Sequence, residues 1–300
     1  MGSGHKRLLF ILIGILVIAV AAAVIVRIQP ASGPAPGPSG SRIPTDSGGL
    51  ELRVFDTGDS DAILLITPEG DTMLVDTGLD ETYGHLYNSL KNLGISRIDI
   101  LVLTHPHKDH IGGAPQLLSD FSVGQVYMPA TDYTSGRMDA LAEALQKAGL
   151  AAAPIAKGSR FSLGSLAVDV LSPGKTYENM NDNSAVLQFT YGGKTFLLMG
   201  DAEKDAEADL IAAYGGQLRA DFLKAGHHGA KDASSEEFLA VVQPSYAVLT
   251  GDHAADPDHV HEKVIERLEA VGAAVYRTDR DGDITVLCDG NSISIQTANG

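Results

Sequence analysis

The sequence predicts a layered α/β domain, two β-sheets with helices on their outer faces, carried behind an apolar N-terminal segment. Three observations lead there. Short β-type apolar runs alternate with helical patterns from about residue 49 onward, the strands cluster at the start of each half, and no short-period repeat points to a solenoid. With 300 residues, 44% of them hydrophobic and 20% charged, the chain can bury a sizeable core.

Leu8 to Val26 is apolar throughout, LLFILIGILVIAVAAAVIV. At about 1.5 Å per residue it spans roughly 28 Å, close to the ~30 Å hydrocarbon core of a bilayer. His5, Lys6 and Arg7 precede it and Arg27 follows. The basic cluster favours a cytoplasmic N-terminus with the bulk of the chain outside. Residues 1–7 are therefore expected in the cytoplasm and residues 8–27 as a single-pass anchor. A cleaved signal peptide is the alternative, although its apolar region would usually be only about 7–15 residues long. Residues 28–48, rich in Pro, Gly, Ala and Ser, lack the apolar mass for a core and read as a tether. The folded domain is expected over 49–300.

Strands are expected at 50–56, 62–67 and 72–76, a helix over about 83–93 ended by Gly94, and a buried strand at 98–104. Further strands are expected at 125–129, 166–171, 184–191, 194–199, 219–224, 245–250, 273–277, 283–288 and 292–296. Helices are expected at 112–119, 136–148, 203–214, 235–242 and 260–271.

Net charge is −16. The first 47 residues hold four basic side chains and one acidic, leaving 18 basic against 37 acidic in the remainder. A domain that acidic should not bind nucleic acid through a broad basic surface, which leaves room only for a local basic groove. One cysteine, Cys288, excludes an intrachain disulfide framework and a cysteine-rich zinc site, and its place in a terminal strand marks it as core.

The chemistry concentrates in Thr104-His105-Pro106-His107-Lys108-Asp109-His110, followed by Gly112-Gly113, at the end of a hydrophobic strand. In a tight loop His105 and His107 can face one centre while Asp109 and His110 reach a second. Imidazole and carboxylate together suit zinc, manganese or iron. A surface histidine cluster is the plainer alternative.

His-x-His-x-Asp-His resembles the signature of the metallo-β-lactamase superfamily, and other elements of that pattern follow in order over residues 50 to 290. The resemblance implies a four-layer αββα fold and two divalent metal ions, Zn²⁺ or Mn²⁺. It implies that Asp76, in Leu74-Val75-Asp76-Thr77-Gly78, is the acidic residue closing an early strand. Asp201, in Leu198-Met199-Gly200-Asp201, looks like the carboxylate bridging both metals, with helix capping as the alternative. His227, in Gly226-His227-His228-Gly229, looks like the last histidine ligand. Within the superfamily the chain resembles the extracytoplasmic hydrolase domain of the ComEC competence family. Gly58-Asp59-Ser60-Asp61-Ala62, Asn181-Asp182-Asn183-Ser184, Gly226-His227-His228-Gly229-Ala230-Lys231, Tyr276-Arg277-Thr278-Asp279 and His259-Val260-His261 carry this likeness. Departures occur at Asp59-Ser60, Ala230 and Asp232, so the substrate does not transfer with the motifs. With no run of transmembrane helices for a DNA channel, the chain reads as a hydrolase module on a tether.

No histidine lies between His110 and His227 to complete the first metal site as the superfamily usually does. Asp182 or Asn183 is expected to supply oxygen there, with an ordinary Asx turn as the alternative. An oxygen-richer site would tolerate Mn²⁺. The adjacent His227 and His228 cannot easily face one metal; His227 is expected as ligand because it comes first after the strand, and His228 as a supporting or substrate contact. Asp76 is expected to orient a ligand. Ser184, Lys231, His259 and His261 are candidates for leaving-group contacts, or solvated surface residues; His85 and His253 read as surface.

These residues suit a shared metal-activated water, with Asp109 orienting it and taking its proton. The resemblance implies phosphodiester hydrolysis, with DNA outside the membrane as one substrate. A small phosphoester, a lactone or a β-lactam is the alternative, and a surface-anchored binding protein that keeps the fold is a third reading.

Overall fold

A computed structural model describes residues 48–300. The expected anchor and nearly all of the tether lie outside the described residues; among those described, no helix is long and apolar enough to cross a membrane.

The first sheet comprises β1 (Leu50–Val54), β2 (Ile63–Ile66), β3 (Thr72–Val75), β4 (Arg97–Val102), β5 (Ser122–Pro129), β6 (Ala152–Ile155) and the returning strands β14 (Ile284–Cys288) and β15 (Ile293–Thr297). The second comprises β7 (Arg160–Leu163), β8 (Leu166–Ser172), β9 (Val186–Tyr191), β10 (Lys194–Leu198), β11 (Phe222–Lys224), β12 (Tyr246–Leu249) and β13 (Ala274–Arg277). Their orders are β15-β14-β1-β2-β3-β4-β5-β6 and β13-β12-β11-β10-β9-β8-β7.

Both sheets follow one plan. Antiparallel pairing through short turns gives way to parallel pairing, at β3–β4 in the first and at β10–β11 in the second. Parallel neighbours need a crossover, and helices supply it. The first sheet is crossed by α1 (Tyr83–Asn92), α2 (Lys108–Ile111), α3 (Ala114–Asp120) and α4 (Gly136–Ala148). The second is crossed by α5 (Lys204–Tyr214), α6 (Glu236–Val242) and α7 (Glu262–Ala270), and the short α8 (Thr278–Asp281) leads back to β14.

Side-chain alternation sorts the core into three. Leu52, Leu65, Met73, Val102, Leu187, Phe196, Phe222 and Val248 meet between the sheets. Leu64, Leu74 and Leu101 face α1, α3 and α4; Leu197, Leu223 and Leu249 face α5, α6 and α7. Strands covered on both faces must be apolar at consecutive positions, which is why these runs lack a polar alternate. Phe189 and Phe196 stack at 5.0 Å between ring centres, and Tyr127 of the first sheet stacks on Phe161 of the second at 4.7 Å. The layers are therefore α, β, β, α.

Two strands, β6 and β7, escape the sequence reading. Ala-Ala-Pro-Ile and Arg-Phe-Ser-Leu are short, one carries a proline, and both sit at sheet edges where no long apolar run is required.

Candidate metal centre

Parallel strands end on the same side, so the loops after β3, β4, β10, β11 and β12 converge. They deliver Asp76, the His105–His110 loop, Asp201, His227-His228 and Thr250. Gly200 lets the β10 loop press close. Its φ is +54°, and a Cβ there would meet the Cβ atoms of Ser184 and Thr104 at 3.0 and 3.1 Å. Asp76, His227 and His228 also have positive φ, at 61°, 45° and 53°. Non-glycine residues are uncommon in that region, and such strain gathers at functional sites.

Of the groups of donor atoms among the described residues, two share Asp201. His105, His107 and Asp201 make the first; Asp109, His110, Asp201 and His228 make the second; within each group the ligand atoms lie within 4.8 Å of one another. His105 Nε2 is 3.0 Å from His107 Nδ1 and 3.5 Å from Asp201 Oδ2. His110 Nε2 is 3.0 Å from Asp201 Oδ2 and 3.3 Å from Asp109 Oδ2. His228 Nε2 is 3.1 Å from Asp109 Oδ2 and 3.6 Å from Asp201 Oδ2.

The far nitrogen of each buried ring is occupied. His228 Nδ1 donates to the Thr250 carbonyl at 2.7 Å, and His110 Nδ1 meets Asp76 Oδ2 at 2.8 Å. His105 Nδ1 lies 3.2 Å from the Thr104 hydroxyl and 3.3 Å from the Ser184 hydroxyl. Such contacts fix ring orientation and leave Nε2 for the centre. Asp76 is itself held by the Thr104 amide and hydroxyl at 2.8 and 2.7 Å. Ser184 Oγ accepts the Asp201 amide at 3.0 Å.

Beneath His228 lies a buried ion pair that the sequence reading missed. Lys224 Nζ is 2.7 Å from Asp61 Oδ2, both side chains are shut off from solvent, and the Thr250 hydroxyl donates to Asp61 Oδ1. Burial opposes ionisation of Asp61, yet Lys224 and then His228 hold its carboxyl far below the usual range. Burial likewise disfavours charge on His228, but the Asp201 and Asp61 carboxylates overcome it and push the imidazole up to about 10. His110 is raised well above its ordinary value against the same burial by Asp201, Asp76 and Asp109. Asp109 and Asp201 are correspondingly depressed, chiefly by His110, although burial acts the other way.

Other expected residues lie elsewhere. His227 stands beside the centre and pairs with Glu203, Nδ1 to Oε1 at 2.9 Å, while the consecutive left-handed residues turn His228 inward. Order after the strand is thus a poor guide here, and the group holds His228 where His227 was expected. Asp182 is not among the grouped donors. Its Oδ1 accepts the amides of Glu203 and Ala206 at 2.9 and 3.1 Å, capping the start of α5. Asn183 staples its own loop, accepting the Tyr177 amide and donating to the Tyr177 and Asn179 carbonyls. Lys231 is exposed, its side chain without a polar partner among the described residues, and His261 Nδ1 accepts the Lys263 amide to cap α7. His259 meets Asp59 at 2.7 Å, and its ring lies 4.9 Å from that of His228. His85 and His253 are exposed, and Cys288 is buried between the sheets.

Replacing Asp182 with Ala should therefore cost about 0.5–2 kcal/mol of stability, as loss of a helix cap does. Bound metal should not change. Denaturant unfolding and metal analysis of the same variant check both.

A family model described as the metallo-beta-lactamase superfamily matches residues 56–253, about two thirds of the chain. This chain belongs to the metallo-β-lactamase superfamily. ComE operon protein 3 of Bacillus subtilis (strain 168) is 30% identical over 252 residues, covering 78% of this chain and 32% of that protein. Competence protein ComA of Neisseria gonorrhoeae is 30% identical over 234 residues, covering 77% and 31%. The chain thus spans about a third of the length of these curated relatives. Among solved structures, CmlA, a diiron β-hydroxylase from Streptomyces venezuelae, superposes with a TM-score of 0.57 at 15% identity, covering 80% of this chain and 54% of that one. Tm1679, a metal-dependent hydrolase of the β-lactamase superfamily, gives 0.51 at 14% identity, covering 76% and 95%. At such identities the likeness shows the fold alone.

The superfamily implies divalent metal ions, and the donors present fit them. Asp201 Oδ1 is buried without a hydrogen-bond partner among the described residues. Asp61, Asp76 and Asp201 are buried and Asp109 partly so, while Lys224 is the one permanent cation in contact with them among the described residues. Buried carboxylates in that excess need further positive charge.

Proposed function

We propose that the chain is a metal-dependent phosphodiesterase, a nuclease in the manner that its competence-named relatives suggest, anchored by residues 8–27 with residues 49–300 outside the cytoplasm. The observation that carries the reading is Asp201, the one side chain common to both donor groups. His105, His107 and Asp201 would hold one divalent ion; Asp109, His110, His228 and Asp201 would hold the other. With only two imidazoles, the first group tolerates Mn²⁺ as well as Zn²⁺. When bound, such ions supply Lewis acidity and activate water near neutral pH.

The chain's own residues set the geometry. Asp76, Thr104, Ser184 and Thr250 hold the donors in place. Asp109 orients the attacking water and accepts its proton at the carboxylate oxygen turned away from His110 and His228. As the water oxygen bonds to phosphorus, the ester oxygen departs with the bond pair and takes its proton from solvent. No side-chain nucleophile is required.

The acidic balance of the domain favours a second reading, a small phosphodiester instead of a polymer. Stripping metal from the full-length chain and restoring Mn²⁺ or Zn²⁺ decides among substrates. Labelled DNA and bis-(p-nitrophenyl) phosphate should both be cleaved, only with metal, and not by His107→Ala. Turnover of the small diester alone selects the second reading. Turnover of a chromogenic β-lactam alone removes phosphodiesters altogether.

A further inference from the structure

Beside His107 the centre opens into a groove of about 710 Å³, bordered by Asp80, Pro106, Lys108, Asp109, Tyr133 and Arg137. Lys108 is exposed and forms no ion pair among the described residues. Arg137 is already engaged, 2.7 Å from Asp80 and 3.9 Å from Glu81, and Asp109 faces the donor group, which leaves Lys108 as the cation open to a ligand. Tyr133 is the one large hydrophobic side chain exposed among the described residues, at 38%. It sits in the loop between β5 and α4, tied by its amide to the Thr131 hydroxyl, with its ring centre 6.1 Å from that of His107.

The Tyr133 ring meets His107 edge-on and leaves its remaining surface open to the groove. A free ammonium one residue from the ring's neighbour, His107, adds a single positive charge to the same groove. Together they match the two parts of one nucleotide: a flat base that stacks and a phosphate that pairs. Stacking needs an unpaired base, because a duplex buries both faces. One free lysine cannot neutralise the many phosphates of a duplex against so acidic a domain.

We infer that Tyr133 and Lys108 form a nucleotide subsite beside the metal centre, selecting a single-stranded polynucleotide by stacking one base on Tyr133 and pairing one phosphate with Lys108. The inference rests on the phosphodiesterase reading and narrows its substrate.

The test uses the full-length chain with an oligothymidylate, an abasic oligonucleotide of equal length, and a duplex. Binding is followed by fluorescence anisotropy on the metal-stripped chain, and cleavage with Mn²⁺ restored. Tyr133→Ala should lower the ratio of kcat/KM for oligothymidylate over abasic strand by roughly 5- to 150-fold, the usual worth of one base–aromatic stack. Tyr133→Phe should recover it. The anisotropy Kd should rise with the same selectivity. Lys108→Ala should reduce the salt slope of log Kd by about 0.7, one phosphate contact on a single strand. Equal losses on both strands, no loss on either, or tighter binding of the duplex by the wild type would overturn the subsite while leaving the phosphodiesterase reading intact. A wild type that binds oligothymidylate selectively but cleaves no phosphodiester with metal restored keeps the subsite and sinks the activity.

Discussion

His228→Ala lowers phosphodiester turnover on the order of 100-fold or more, beyond the 10- to 100-fold typical of losing an outer partner of a metal ligand. His227→Ala stays within that 10- to 100-fold range. The two rings are neighbours in sequence, and position alone separates them. His228 is fully buried, its Nδ1 is fixed by the Thr250 carbonyl, and its Nε2 faces Asp109 and Asp201. His227 faces Glu203 and Asn181. Bound metal should fall toward one ion per chain in His228→Ala and remain at two in His227→Ala. Equal metal content in both variants would count against this assignment.

The second large effect is on stability. Lys224→Met removes the partner of a carboxylate that has no access to water. Breaking a buried pair from one side typically costs about 3–5 kcal/mol, because the remaining charge is left uncompensated. For a domain of this size that corresponds to a melting temperature lower by roughly 6–20 °C. Asp61→Asn in the same chain should restore much of it, since the amide still accepts from Thr250 without burying a charge. A Lys224→Met variant as stable as wild type would mean that Asp61 is carried by the histidines alone. Calorimetry of the two variants separates these cases.

The sequence revealed those parts of the centre whose position follows from local order. A hydrophobic strand running into His-x-His-x-Asp-His fixes where His105, His107, Asp109 and His110 emerge. The strand before Gly200 does the same for Asp201, and the structure brings all five together. Choices that depend on backbone hand or on distant partners were not legible. Nothing in His227-His228 signals two successive left-handed residues, yet these decide which ring turns inward. Asp182 reads as an oxygen donor until α5 is placed against it, when two helix-start amides claim the carboxylate. Asp61, in the loop before β2, and Lys224, at the end of β11, are far apart in sequence, and nothing local to either signals that they pair. The strands β6 and β7 were lost for a related reason. Edge strands need little apolar sequence, so periodicity says little about them.

Anomalous diffraction from crystals of the full-length chain grown with Zn²⁺ or Mn²⁺ locates the ions and their ligands. Two ions about 3.5–4 Å apart are expected. One should be held by His105, His107 and Asp201, the other by Asp109, His110, His228 and Asp201. An ion bound through His227 or Asp182, or a single ion that leaves Asp201 unshared, would contradict the account.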